Sequence, residues 1–272
     1  MQPKSSPVKD ALSGPAIHEL WESVYRNPQS ERLYELAFDW IAESGDVPIG
    51  SRWLDIGCGI GQHAIRLLHR GYRVVAADFS FDRVGAAKAH LQQMGLQDQI
   101  KVQHEDLVAG LSFPAGSFDA VLCWGVLMHI PMLETAMSEL IRVVRPGGKL
   151  FIYEANIHGV DATISRLGSL ARGFVGKSRF KQIVVGKYGR EYTVSQADGE
   201  LTIRHTRIPA MCRFFQEHGC RCQARICGEF TEWYGRVGRL APVLHAWNGF
   251  WFRTIRSPRV AHGNLLVFEK SA

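Results

Sequence analysis

The six cysteines (Cys58, Cys123, Cys212, Cys220, Cys222 and Cys227) include no C-x-x-C pair, which removes the usual dithiol and zinc-ribbon motifs. Four of them crowd into residues 212–227. Lacking ligand spacing or a paired His motif, they read as buried free thiols, and no metal is expected. The N-terminus MQPKSSPVKDALSGP has no apolar run of the signal-peptide kind, and nowhere does an uncharged stretch approach the roughly 18 apolar residues of a membrane span. A reducing cytoplasm is the expected compartment. No internal repeat or low-complexity tract occurs. At 272 residues, with 46% apolar and 21% charged side chains, the chain is neither a disulfide-stapled miniprotein nor intrinsically disordered over its body.

Acid is missing from two stretches. Residues 162–190 carry seven Lys or Arg and no Asp or Glu, and residues 233–260 carry five Arg and again no acid. The net charge is +6, so the rest of the chain is acidic overall and the basicity belongs to these two segments.

The first sixteen residues, rich in Pro, Ser and Lys, are expected to be disordered. From Ile17 an amphipathic run predicts two short helices broken near Asn27-Pro28. Beyond Arg52, short apolar runs alternate with helical periodicity. Strands are expected over Trp53–Ile56, Arg73–Ala77, Ile100–His104, Ala120–Trp124 and Lys149–Tyr153, and helices over Gln62–Leu68, Asp82–Met94 and Met132–Val143. Such alternation means an α/β protein whose parallel sheet is joined by crossover helices. It lapses after Asn156 for some fifty residues, an interval that in a compact domain is usually a lid or binding element. The pattern resumes with a helix over Ile208–His218 and strands over Arg221–Ile226 and Asn264–Phe268. Residues 17–272 are therefore read as one domain with an insertion at 157–207.

The most informative residues are Asp55-Ile56-Gly57-Cys58-Gly59-Ile60-Gly61. A strand running into glycines and then a helix lets bare backbone approach a ligand, because glycine tolerates dihedrals and contacts that a Cβ forbids. G-x-G-x-G alone also fits a dinucleotide site. Asp55 sharpens the choice, since a carboxylate suits an ammonium or sulfonium better than a pyrophosphate. Asp78 ends the next strand, where a carboxylate can accept from both hydroxyls of a ribose. Asp106 follows the third strand, placed to accept from an adenine amino group with Leu107 packed on the base. Each alone reads as a cap or loop residue; three at successive strand ends beside a glycine turn do not.

WLDIGCGIGQHAIRLLHRGYRVVAADFS, HEDL, FPAGSFDAVLCWGVLMHIP and ELIRVVRPGGKLFI, in this order and spacing across Arg52–Ile152, resemble the class I S-adenosylmethionine-dependent methyltransferases of the type 11 kind. The resemblance implies a doubly wound, Rossmann-like, mostly parallel sheet of seven strands whose last strand inserts antiparallel, with the insertion as a lid. It implies S-adenosyl-L-methionine as cofactor. Gly57, Gly59 and Gly61 would line its methionine portion beside Asp55, Asp78 and the following Phe79 its ribose, and Asp106 and Leu107 its adenine, with Trp124 abutting it.

Methyl transfer needs chiefly approach geometry and water exclusion, and a base only where the acceptor is protonated. His129, in the loop after the fourth strand, is the candidate base for a phenol or enol proton; capping or packing the next helix is the alternative. Glu154 and His158 are weaker candidates. The segment after the fifth strand resembles the corresponding region of ubiquinone-pathway O-methyltransferases, which implies a phenolic, acidic or lipid-linked small-molecule acceptor. Ile164, Leu167, Leu170 and Phe174 at helical spacing, and Trp233, Tyr234, Trp247, Phe250, Trp251 and Phe252 among arginines, suit peripheral contact with a bilayer. An ordinary packed helix with a solvated Arg face is the alternative. No separate nucleic-acid-binding module is visible, so an RNA methyltransferase ranks below a small-molecule enzyme, as does a non-catalytic subunit that keeps the cofactor fold.

Overall fold

The computed structural model describes residue 12 and residues 27–172, 182–196, 199–233 and 238–271. The segment expected to be disordered, apart from residue 12, and the helix expected before Asn27 lie outside these residues, as do Phe174 and Tyr234.

The described chain opens on helix α1 (Pro28–Ser44). Asn27 sets its start, its side-chain oxygen accepting from the backbone N–H groups of Gln29 and Ser30, while Pro28 occupies a position where a missing N–H costs nothing. The alternation then follows as read: β1 (Arg52–Ile56), α2 (Gln62–His69), β2 (Arg73–Asp78), α3 (Phe81–Gln93), β3 (Ile100–His104), β4 (Phe118–Trp124), α4 (Leu133–Val143) and β5 (Val144–Ala155). Every residue of β1 and β2 beyond the first arginine is buried, as strands covered on both faces require.

The insertion departs from the expectation. Helix α5 (Val160–Arg172) is followed by strands β6 (Gln182–Gly186), β7 (Gly189–Gln196) and β8 (Gly199–Thr206), which pair antiparallel in a second sheet of order β6-β7-β8. No strand was expected there. Only β6, QIVVG, holds a continuous apolar run, and it is short; β7 and β8 mix polar and apolar residues and leave little such signal. Helix α6 (Ile208–Glu217), β9 (Cys220–Glu229), helix α7 (Ala241–Phe250), a π-helical turn (Trp251–Ile255) and β10 (Gly263–Lys270) complete the order.

The larger sheet has the order β3-β2-β1-β4-β5-β10-β9, so the seven-stranded, doubly wound sheet with its last strand antiparallel is confirmed. By packing, the chain divides into two compact units: residues 35–153, 212–224 and 266–272 in one, and residues 1–34, 154–211 and 225–265 in the other. In the first, Trp53 is fully buried and stacks on Phe151 at 4.9 Å, and Phe215 stacks on Phe268 at 4.4 Å. Buried Lys149 is neutralised there by Glu269 at 2.6 Å.

The second unit is tied by polar groups around the end of β9. Asp161, in the first turn of α5, accepts from Thr231 Oγ1 at 2.6 Å and from the Glu232 backbone N–H at 2.7 Å. Asn248 of α7 accepts from the Thr231 N–H and donates to the Thr231 carbonyl. Asn156 donates to the carbonyls of Pro258, Arg259 and Ala261. Satisfying so many buried polar groups fixes the segment in one geometry.

Candidate functional site

Parallel pairing aligns the carboxyl ends of the first strands of the sheet. Ile56 of β1 stands opposite Ala77 of β2 and Cys123 of β4, and Asp78 of β2 opposite His104 of β3. Asp55, Gly57, Gly59, Gly61, Asp78, Phe79, Asp106, Leu107, Trp124 and His129 therefore fall within one unit, at or just beyond one edge of the sheet. Open α/β sheets collect their ligands there.

The turn after β1 is anchored from below, because Ala77 O accepts from the N–H groups of both Gly57 and Cys58 at 2.7 and 3.0 Å. Gly57, Gly59 and Gly61 all have positive φ, from 56° to 83°, which side-chain-bearing residues rarely adopt. Beyond φ, the three differ. A Cβ at Gly57 would stand 2.3 Å from Val126 Cγ2, whereas one at Gly59 would meet nothing within 4 Å. Gly57 thus also serves internal packing, and Gly59 faces open space. A side chain at Gly57 would therefore disturb the protein itself.

Asp55 is 1% exposed. It accepts from the Ala64 backbone N–H, but its Oδ2 is buried without a hydrogen-bond partner. Burial, and secondarily the nearby charge of Asp78, lifts its pKa to about 7. An orphaned carboxylate oxygen is a costly feature, and a cationic ligand group would relieve it. Asp78 is also buried; its Oδ2 accepts from Gly59 N and its Oδ1 from Ser80 N, each at 3.0 Å. Asp78 therefore shapes the glycine turn directly, while each of its oxygens keeps a second lone pair for a ligand hydroxyl. Burial raises its pKa as well.

The loop after β3 separates two acids that look equivalent in HEDL. Glu105 is buried and latches the loop, accepting from Gln103, from the Ser112 N–H and from the Ser112 hydroxyl. Asp106 is half-buried and accepts from Val108 N, with Leu107 buried beside it.

Trp124 ends β4 and lies flat on Tyr153 of β5, centroids 4.5 Å apart and planes within 8°. His63 flanks it at 5.2 Å and stacks on Phe38. Arg66, itself paired with Glu35 at 3.1 Å, donates to His63 Nδ1 at 3.1 Å, since a guanidinium offers only donors. Burial and the Arg66 charge hold His63 neutral, its pKa pushed well down. Sequence reasoning missed this aromatic wall; a His at the second position of the helix after the glycines was its trace. His129 ends a short 3-10 turn (Leu127–His129), half-buried, its backbone N–H bonded to Val126 O. Glu154 and His158 fall in the other unit, the first fully buried and accepting from Thr206 Oγ1 at 2.7 Å, the second exposed.

Comparison with known proteins fits this geometry. Residues 54–152 match the methyltransferase domain family. The chain is 32% identical over 144 residues to a ubiquinone biosynthesis O-methyltransferase of Dechloromonas aromatica, covering 53% of this chain and 60% of that protein. It is 34% identical over 116 residues to the sterol 24-C-methyltransferase ERG6B of Gibberella zeae, covering 42% and 30%. It thus spans less than two thirds of these relatives' length. Among solved structures, the [4+2]-cyclase SpnF superposes with a TM-score of 0.64 at 16% identity, over 99% of this chain and 98% of that one. Magnesium protoporphyrin IX methyltransferase from Synechocystis, with S-adenosylhomocysteine bound, gives 0.62 at 16% identity, over 97% and 99%. These two likenesses concern the fold alone.

Proposed function

We propose that this chain, whose residues 54–152 match the methyltransferase domain family, is a class I S-adenosylmethionine-dependent enzyme that methylates a small molecule at oxygen, on a phenolic, acidic or lipid-linked acceptor. The observation that carries the cofactor assignment is the pairing of the orphaned Asp55 Oδ2 with the open cradle at Gly59. A ligand with a cationic amino-acid end satisfies the first and fills the second. In this reading Asp78 and Phe79 hold the ribose, and Asp106 and Leu107 the adenine. Gly57 and Gly61 give the turn its path, and Trp124, pinned by Tyr153, walls the site. S-adenosylmethionine supplies the activated methyl when bound, so the chain's own work is to orient it, exclude water and remove an acceptor proton. His129 is the proposed proton acceptor. His129→Ala is expected to lower turnover about a hundredfold and to leave cofactor affinity nearly unchanged. Full activity at every pH would return His129 to a packing role.

The acceptor class is supported by the O-methyltransferase relatives and by the two basic stretches, both of which belong to the same unit. A peripheral membrane contact is part of the proposal. No described helix is long and apolar enough to cross a bilayer. Helix α7 and its neighbourhood nonetheless expose Leu240, Val243, Trp247 and Phe250 beside Arg239, Arg253 and Arg256, an interfacial pattern. Phe252 is buried, and Trp251 donates its indole N–H to Ser257 O, so these two aromatics are corrected from surface to packing groups. The protein should co-sediment with anionic vesicles at low salt, and Trp247→Ser with Phe250→Ser should remove the binding that persists at high salt. Equal sedimentation with neutral vesicles would refute the contact.

A further inference from the structure

Strand β6 ends the smaller sheet, with β7 on one side of it and, among the described residues, no strand on the other. Alternate residues of an antiparallel strand turn both backbone groups to the outer side. The edge of β6 is therefore a row of N–H and C=O groups, the usual template for a further strand. Its side chains are open as well. Ile183, Val184 and Val185 are 46%, 45% and 61% exposed, and Gly186 and Lys187 after them are exposed too. Successive side chains of a strand leave opposite faces, so both faces of β6 are bare. A solvated strand normally carries polar residues on its exposed face. Three consecutive β-branched apolar residues, open on both faces, mark an interaction site instead.

The charge around this edge is of one sign. Lys177, Arg179 and Lys181 precede the apolar triplet, Lys187 and Arg190 follow it, and no acid occurs from residue 162 to residue 190. Arg190 stands opposite Val185 in the β6–β7 ladder. The neighbouring carboxylate, Glu191 opposite Val184, is engaged by Arg204 at 2.6 Å. This distribution selects the partner. Lys181 and Lys187 are equally distant from Val184 in sequence, so two copies of β6 pairing antiparallel about Val184 would set lysine against lysine, and like charges directly opposite are destabilising. A strand flanked by acids meets the same lysines favourably.

We propose that β6 is the docking edge for an extended acidic segment of a partner protein, which adds to β6-β7-β8 as a fourth strand. Main-chain hydrogen bonds along the edge supply affinity, and Ile183, Val184 and Val185 meet apolar residues of the segment on alternate faces. The flanking lysines select acids at its ends. The proposal is independent of the methyltransferase reading.

The test uses the full chain and two dye-labelled nonapeptides with the same core of alternating valine and threonine, one flanked by Glu and Asp and the other by Lys. The acidic peptide should bind about tenfold more tightly than the basic one, lose affinity as salt rises, and slow amide exchange in residues 182–186. Ile183→Thr with Val185→Thr, which keeps strand-forming residues and removes the apolar cover, should weaken its binding about tenfold, as should Lys187→Glu. The altered side chains are exposed, so thermal unfolding should show the fold intact. Equal binding of the two peptides by the unaltered protein, or unchanged exchange in β6 with the acidic peptide bound, would overturn the proposal. So would protection of β6 by self-association of the protein alone, which would assign the edge to a second copy, or by anionic vesicles in preference to the peptide, which would assign it to a lipid surface.

Discussion

Asp55→Asn is expected to weaken S-adenosylmethionine binding by about 1.5–3 kcal/mol, roughly ten- to a hundredfold, because a charge-assisted contact is reduced to a neutral one. The substitution keeps the side chain's shape and an acceptor for the Ala64 N–H, so the fold should persist. The pH dependence separates this from a general disturbance. The buried Asp55 carboxyl titrates at about 7 against an ordinary 3.8, and a cationic ligand group prefers the ionised form. Affinity in the unaltered protein should rise with pH up to about 7 and fall by up to tenfold per unit below it, while Asp55→Asn should be flat through this window. Stability of the free protein should move the other way. With the folded pKa raised above the unfolded one, the native state binds more protons between about 4 and 7, so this group lowers stability as pH rises across that range. Thermal unfolding followed from pH 4 to 8 should show a shallower decline for Asp55→Asn. If the variant binds cofactor normally at all pH values, the orphaned oxygen has no cationic ligand and the assignment fails.

Gly59→Ala is expected to abolish cofactor binding, with an affinity loss of a hundredfold or more, while costing little stability. A Cβ at this position meets nothing within 4 Å of the free protein, so its only obstacle within the chain is the left-handed φ of 56°, worth about 1–2 kcal/mol for a non-glycine residue. A bound ligand lying on the bare backbone would be displaced by the methyl. Gly57→Ala is the contrasting case. There the new Cβ strikes Val126, so both stability and binding should fall. Calorimetry and thermal unfolding on the two variants distinguish a ligand cradle from a packing glycine; normal binding by Gly59→Ala would show that the cradle is not the site.

Residues 52–153 were readable because their physics is local. Strands buried on both faces leave continuous apolar runs such as RVVAAD, and acids at their carboxyl ends interrupt those runs where a ligand can reach them. Burial partners were not readable. Nothing in GCGIG tells Gly57, pressed against Val126, from Gly59, which faces open space. Nor does HEDL tell latched Glu105 from Asp106. In the second unit, the short apolar run of β6 and the mixed polar and apolar residues of β7 and β8 hid the antiparallel sheet, and aromatic residues at one-residue spacing around Trp251 could not reveal that Phe250 is exposed and Phe252 enclosed.

Release of S-adenosylhomocysteine from the purified protein, given S-adenosylmethionine and a panel of phenolic and carboxylic acceptors, tests the central claim most directly. The account predicts acceptor-dependent release by the unaltered protein and none by Gly59→Ala. Tight cofactor binding without release on any member of the panel would contradict it and mark the chain as a binding subunit that keeps the fold without the chemistry.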